Sequence, residues 1–483
     1  MSISTLQLDR AIGAVLASAA GDALGSQFEF GPALSDDVVP WFGRGVFGHD
    51  VGEWTDDTSM AMPLLDALAE GTDLTNPQVQ ARIVTTWVDW ARTSKDVGSQ
   101  TRAVLSRIGG PVTAEAALAS SRASHERSGR SGGNGSLMRT GPIALGYLDR
   151  EPAELVDAAG AIARLTHWED DNADACALWC LAIRHAILTG ELDMRAQTAF
   201  LPSERRARWI GLIDEADAPG AGPRDFRTGN GWVVRAFQGA LAAVTGAASL
   251  TDALHRAVRG GGDTDTVAAI AGALAGAVFG GSAVPLSWQR ILHGWPEYTV
   301  ADLVRRAVLA ARGGKPDAEG WPTAARQPVY PRSDFLAKHP HDHGVWIGSL
   351  AALDRLPAEV DAVVSLCRVG SAQVPGDLES VQVWLIDQDG RNPNLDLVLS
   401  EAADAVAALR AEGRVVFLHC AEGRSRTAAV SALYGARNRD VELNRAWAEV
   451  ATVLPGFAPQ AFLQDAVRRV VEADRAAGAR RMP

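Results

Sequence analysis

One change of hydrophobic period divides this chain, and it constrains the fold more than any other feature. From Leu6 to Arg312 apolar residues recur at helical spacing in Ala-rich segments, separated by Gly, Pro and Asp, with hardly any alternation of β-branched residues. Beyond Arg332 the apolar runs shorten to strand length and alternate with helical segments. The aperiodic stretch that begins at Gly313 carries several Gly and Pro residues, as a linker does. A chain of 483 residues is also too long for a single core. The expected architecture is therefore multidomain: an all-α domain over 6–312, a linker over 313–327, and an α/β domain with a largely parallel sheet over 328–478.

Within the first domain the periodicity predicts helices at Gln80 to Thr93, Pro152 to Leu165, Ala173 to Leu188, Trp232 to Thr245 and Ala301 to Ala311. In the second, Val345 to Ile347, Ala362 to Leu366, Val381 to Ile386 and Val415 to His419 read as strands, with helices at Leu395 to Arg410 and Thr427 to Asn438.

Two apolar stretches imitate membrane signals. Ala11 to Ala20 resembles a signal-peptide core, but Asp9 precedes it, Asp22 ends it, and no cleavage site follows. Thr266 to Gln289 carries no charge, with Gly272, Gly276 and Gly280 at small-xxx-small spacing; its Ala and Gly content and Pro285 favour a buried helix packed closely on another. With 46 Lys and Arg against 58 Asp and Glu, the formal charge of −12 offers no basic field for nucleic acid or acidic lipid. The cysteines Cys176, Cys180, Cys367 and Cys420 form no disulfide framework and fit a reducing, cytoplasmic setting; Cys176, Cys180 and Cys367 read as packing residues.

Hard oxygen ligands concentrate in two places of the first domain, Trp54-Thr55-Asp56-Asp57-Thr58 and Gly260-Gly261-Gly262-Asp263-Thr264-Asp265-Thr266. Together they offer four carboxylates and several hydroxyls without His or Cys, the donor set of Mg²⁺, Mn²⁺ or Ca²⁺. Crowded carboxylates repel and raise one another's pKa values, and two divalent ions would balance them. Taken alone, Asp56 and Asp263 could equally be helix caps. Two further segments join them: Gly21-Asp22-Ala23-Leu24-Gly25 with Glu29, and the glycine-rich loop Gly132-Gly133-Asn134-Gly135-Ser136-Leu137-Met138-Arg139, which could hold a phosphate.

In chain order, GDALG with Glu29, then TDDT, GGNGSLMR, Thr166-His167 and GGDTDT resemble the ADP-ribosylglycohydrolase family over most of residues 6–312. The resemblance implies an all-α fold with two Mg²⁺ ions, Mn²⁺ being the alternative, that removes ADP-ribose from modified proteins or small ADP-ribosyl conjugates. It implies that Thr55, Asp56, Asp57, Asp263, Asp265 and Thr266 hold the metals and that Glu29 lies beside the scissile bond. Gly133, Asn134, Gly135, Ser136 and His167 would contact the ADP-ribose. Trp168-Glu169-Asp170-Asp171 departs from the smaller, less acidic residues usual in relatives, which leaves the acceptor side open.

In the second domain the apolar run Val415-Val416-Phe417-Leu418 leads into His419-Cys420-Ala421-Glu422-Gly423-Arg424-Ser425-Arg426-Thr427. A thiol at a strand end, five loop residues and an Arg at a helix start aim successive N–H groups into one phosphate-sized cradle and favour a thiolate. Gly423 lets the loop turn. This element resembles the cysteine-dependent dual-specificity and tyrosine phosphatases over roughly 328–478. The resemblance implies that Cys420 is the nucleophile, that Arg426 holds the phosphate, and that Thr427 assists release. It also requires an Asp general acid upstream, for which Asp389 aligns better than Asp387. The expected whole is a bifunctional hydrolase acting on ADP-ribosylated and phosphorylated substrates; the alternative is a protein that binds ADP-ribose and phospho-ligands without turnover.

Overall fold

The computed structural model describes residues 3–330 and 334–479. They divide into two compact units, Met1–Val284 with Ile291–Lys315, and Pro285–Arg290 with Pro316–Pro483.

The first unit is helical, apart from a pairing of two-residue strands, His293–Gly294 with Tyr298–Thr299. Its centre is the contact between α1 (Thr5–Gly25) and the helix Thr264–Phe279. Ser4 starts α1 with a capping box, its hydroxyl accepting from the Gln7 N–H at 3.2 Å while its own N–H donates to Gln7 Oε1 at 2.9 Å. The glycines of both helices let the two backbones touch. A Cβ on Gly276 would stand 2.0 Å from the Gly13 carbonyl oxygen, and one on Gly272 would stand 2.1 Å from that of Ala17. The uncharged stretch from Thr266 is thus a buried helix against a buried helix, and no helix of the described residues is long and apolar enough to cross a membrane.

We number the other elements used below in chain order. They are α2 (Asp56–Ala69), α3 (Pro77–Trp90), α4 (Asp170–Thr189), α5 (Val233–Thr245) and α6, the Thr264–Phe279 helix just described. The close contact of α1 with α6 carries the C-terminal end of α1 to the first turn of α6, where a Cβ on Gly25 would meet Asp265 Cα at 2.5 Å.

The second unit is a five-stranded sheet with helices. Its strands are β1 (Leu336–His339), β2 (Asp342–Ser349), β3 (Ala362–Ser365), β4 (Glu379–Gln382) and β5 (Val416–Cys420), in the order β1-β2-β5-β3-β4. Only the β1–β2 pair is antiparallel. Central β5 is buried along its whole length, which is why it reads as an unbroken apolar run. Helices α7 (Leu395–Ala411) and α8 (Arg426–Asn438) flank the loops at the carboxyl ends of the parallel strands, the usual place for a ligand in such a sheet. The predicted strand at Val381 to Ile386 is shorter than expected: the ladder ends at Gln382.

Candidate active sites

In the first unit, Asp22 on the last turns of α1 is fully buried and organises the start of α2. Its Oδ1 accepts from the Thr55 N–H at 2.9 Å and hydroxyl at 2.8 Å, and its Oδ2 accepts from the Thr58 N–H at 3.0 Å and hydroxyl at 2.6 Å. Thr55 Oγ1 also lies 3.2 Å from Asp57 Oδ2. Its one proton goes to Asp22 at the shorter distance, so Asp57 Oδ2 gains little from it. Thr266 Oγ1 reaches the same Asp57 oxygen at 3.4 Å, while Asp57 Oδ1 is buried with no hydrogen-bond partner.

Two carboxylate groupings result, Asp22 with Asp57 and Asp265, and Glu29 with Asp263 and Asp265, each with ligand oxygens within 4.8 Å of one another. Asp265 is common to both. Asp56 stands outside them, its Oδ2 accepting from the Gly98 N–H at 3.2 Å. Glu29 is half-buried, and its Oε2 has no partner.

The electrostatics follow from this crowding. Burial, then Asp263, Asp96 and Asp56, push Glu29 up to about 8. Burial, then Asp96 and Asp22, push Asp56 to about 8, against the Gly98 hydrogen bond. Asp57 and Asp265 are driven well above the carboxylate range by burial and by their neighbours. The buried Asp57 Oδ1 and Glu29 Oε2, hard acidic oxygens left without donors among crowded carboxylates, are of the kind that divalent cations bind.

The glycine-rich loop is tied to this cluster. Asn134 Nδ2 donates to Asp263 Oδ2 at 2.8 Å and to the Asn230 carbonyl at 3.0 Å, and its N–H is engaged by the Gly231 carbonyl. Ser136 lies beneath the loop, fully buried, accepting from Asn172 Nδ2 on α4 at 2.7 Å. The loop's amides are thus less free for a phosphate than its glycines suggest. Gly133 and Gly135 cover the His167 ring: a Cβ on either would come within 3.4 Å of its Nε2. His167 is buried, and its Nδ1 is 2.8 Å from Thr166 Oγ1.

Sequence reasoning assigned no role to Asp22 and missed Asp96. Asp22 carried a signal, a carboxylate at the end of the uncharged Ala/Gly run Ala11 to Gly21; Asp96 carried none. Burial, then Asp263 and Asp22, push Asp96 to about 6, which marks its proximity to the cluster. Cys176 and Cys180 are buried packing residues, the first pushed up to about 11 by burial.

In the second unit, Cys420 ends β5 beside Ser349 of β2. Its Sγ accepts from the Gly423 N–H at 3.2 Å. Gly423 has φ +72, and a Cβ there would lie 2.7 Å from the Gly348 carbonyl oxygen, so both its conformation and its surroundings require glycine. Arg426 Nη1 donates to the Leu366 carbonyl at 2.8 Å and that of Leu385 at 3.1 Å, while its Nε has no hydrogen-bond partner. Thr427 is buried, with Oγ1 3.4 Å from the Gly348 carbonyl oxygen. His419 sits behind the cysteine, its Nε2 2.8 Å from Ser365 Oγ, and burial pushes it down to about 3.

The two acid candidates part here. Asp387 Oδ1 accepts from Ser425 Oγ at 2.7 Å, and its Oδ2 is 3.7 Å from Arg426 Nε. Asp389 is exposed, with Oδ1 accepting from the Gly390 N–H, and it lines a separate cavity of about 440 Å³ with Asn392, Phe462 and Arg469.

The sequence profile of the family described as ADP-ribosylglycohydrolase matches residues 3–317. ADP-ribosylarginine hydrolase Tri1 of Pseudomonas putida (strain GB-1) is 31% identical over 291 residues, spanning 58% of this chain and 73% of its own. A solved chain described as an ADP-ribosylglycohydrolase-related protein complex is 28% identical over 64% of this chain and 99% of its own, with a TM-score of 0.50. Human DUSP28 is 24% identical over 31% of this chain and 98% of its own, with a TM-score of 0.27.

Proposed function

Since this chain belongs to the ADP-ribosylglycohydrolase family, we propose that residues 6–312 form a divalent-metal-dependent hydrolase that releases ADP-ribose from the arginine of a modified protein or a small ADP-ribosyl conjugate. After a linker at 313–327, residues 328–478 form a cysteine-nucleophile phosphatase in this reading, and the whole works in the cytoplasm. The arginine linkage is suggested by the activity named for the Pseudomonas relative. The observation that carries the first assignment is the pair of carboxylate groupings sharing Asp265, with buried oxygens of Asp57 and Glu29 left without donors.

Thr55, Asp56, Asp57, Asp263, Asp265 and Thr266 would hold two cations, Mg²⁺ first and Mn²⁺ next. When bound, the cations supply Lewis acidity and an activated water. Glu29 moves the proton at the scissile bond, and the surrounding carboxylates stabilise the positive charge that develops on the ribose. Asn134 holds the glycine-rich loop against Asp263, and Gly133, Gly135, Ser136 and His167 shape the ADP-ribose seat.

In the second unit the Cys420 sulfur attacks phosphorus, forming an S–P bond as the P–O bond to the leaving group breaks. Arg426 offers its free N–H groups to two phosphate oxygens. The acid for the departing oxygen in this reading is Asp389, on its spacing before Asn394-Leu395, although Asp387 lies nearer Arg426. Asp387, whose carboxylate is committed to Ser425, holds the two loops together. Water then hydrolyses the phosphocysteine with help from Thr427. A protein that only binds these ligands has no use for a nucleophile backed by a buried strand, which favours turnover.

The test uses the full chain with an arginine-ADP-ribosylated protein and an aryl phosphate. Asp57→Ala should abolish ADP-ribose release and spare phosphate release, and Cys420→Ser should do the reverse. Loss of both activities in either variant would refute the assignment of separate sites.

A further inference from the structure

Arg139, the last residue of the glycine-rich motif, is a buried cation with no direct ion pair among the described residues; the charge of Asp56 reaches it only at longer range. Its side chain has no exposed surface. The guanidinium lies 4.3 Å over the Trp87 ring of α3, Nη1 is 3.7 Å from Met60 Sδ, and Nε has no hydrogen-bond partner. No ion pair joins it to a carboxylate among the described residues. Burial lowers its pKa to about 10, so it stays charged at neutral pH. A buried charge without a direct ion pair is costly, and a residue kept in that state needs a use that packing alone does not give.

Its one strong hydrogen bond identifies the use. Nη2 donates to Thr166 Oγ1 at 2.6 Å. A guanidinium can only donate, so the hydroxyl is the acceptor there and its own proton must go elsewhere. The one acceptor in reach is His167 Nδ1 at 2.8 Å. Were Nδ1 to carry the proton instead, Thr166 would receive two donors and its buried hydroxyl proton would have no acceptor. Nδ1 is therefore bare and Nε2 bears the hydrogen. Burial and the charge of Arg139 both oppose a second proton on the ring. Nε2 in turn lies directly under the positions a Cβ would take at Gly133 and Gly135.

We infer that Arg139 is a positioning residue which, acting through Thr166, fixes His167 in the Nε2–H tautomer and presents that N–H beneath the Gly133–Gly135 loop to an oxygen of the ADP-ribosyl group. The ligand in this statement rests on the proposed function, whereas the tautomer does not.

The test has a spectroscopic arm and a binding arm. In the ¹⁵N-histidine-labelled full chain, two-bond ¹H–¹⁵N correlations, assigned by their loss in His167→Gln, should show the Nε2–H pattern from pH 5 to 8. Thr166→Val should lose that pattern and weaken ADP-ribose binding about 10-fold by calorimetry, with kcat at saturation changed less than about 3-fold. Thr166→Ser should restore both. An Nδ1–H or doubly protonated ring in the unmodified protein would overturn the inference without recourse to any variant. So would equal ADP-ribose affinity in Thr166→Val and Thr166→Ser. The expected tautomer together with no ADP-ribose binding by the unmodified protein would overturn the ligand and the proposed function, and leave the Arg139–Thr166–His167 relay standing.

Discussion

Replacing Gly276 by alanine tests whether backbone contact between α1 and α6 builds the acidic site. The new methyl carbon would lie 2.0 Å from the Gly13 carbonyl oxygen and 2.3 Å from its carbon, where ordinary contact begins at 3.4 Å, so the helices must part by about 1.4 Å. Backbone has no rotamer to escape into, which puts the strain at the upper end of the usual overpacking cost, about 3 kcal/mol. Alanine's better helix propensity returns about 1 kcal/mol. The net loss is about 2 kcal/mol, and the separation spreads to Gly25 and Asp265, whose backbones touch at the same helix pair. Urea unfolding should show the destabilisation, and ADP-ribose release should fall while phosphate release persists. Gly211, on a helix with nothing within 4 Å of its would-be Cβ, supplies the control. Gly211→Ala should stabilise by about 1 kcal/mol and leave release unchanged. If Gly276→Ala behaves like Gly211→Ala, the helices are not in backbone contact.

The pH dependence of stability has a defined sign in chelator. Asp96 at about 6, and Glu29 and Asp56 at about 8, have folded-state pKa values above the unfolded carboxylate value, so they contribute stability that is complete at about pH 4 and is lost as pH rises through 6 to 8. Melting of the EDTA-treated chain should therefore fall between pH 5 and pH 8, and Mg²⁺ should restore most of the loss at pH 8; a rising profile would contradict this. Glu29→Gln should keep ADP-ribose affinity within about 3-fold while lowering kcat at least 10²-fold, a figure in the range for general acid–base catalysis; unchanged turnover would pass the role to another carboxylate. Asp389→Asn should slow an alkyl phosphate about 10²-fold more than a nitrophenyl phosphate, because only the alkoxide needs a proton to leave. Asp387→Asn should slow both alike by freeing Ser425, and the opposite pattern would make Asp387 the acid.

Much of this was legible because the residues that carry it must sit in local patterns. A buried central strand such as β5 has to read as an apolar run, and a thiol cradle has to follow it with glycine and arginine at short spacing. The Thr55–Asp57 and Asp263–Thr266 segments announced their donors in the same way. What stayed hidden depends on tertiary approach. Asp22 comes to Asp265 because glycines let α1 lie on α6, and to Asp57 through the hydrogen bonds it accepts from Thr55 and Thr58, while Asp96 faces the cluster from a loop with no pattern of its own. The use of Asn134's N–H by Gly231, which leaves the glycine-rich loop less free, is likewise a contact between distant segments. Spacing alone favoured Asp389, and it could not show that Asp387 is the carboxylate touching Ser425.

If Asp265, common to both carboxylate groupings, holds divalent cations, ADP-ribose release depends on them. The most direct measurement is the initial rate of ADP-ribose release from an arginine-ADP-ribosylated protein, for the unmodified chain and Asp265→Ala, in Mg²⁺ and in EDTA. Release should require Mg²⁺ in the unmodified chain, return when Mg²⁺ replaces the chelator, and be absent in Asp265→Ala under every condition. Equal rates in EDTA and Mg²⁺, or full activity in Asp265→Ala, would contradict it.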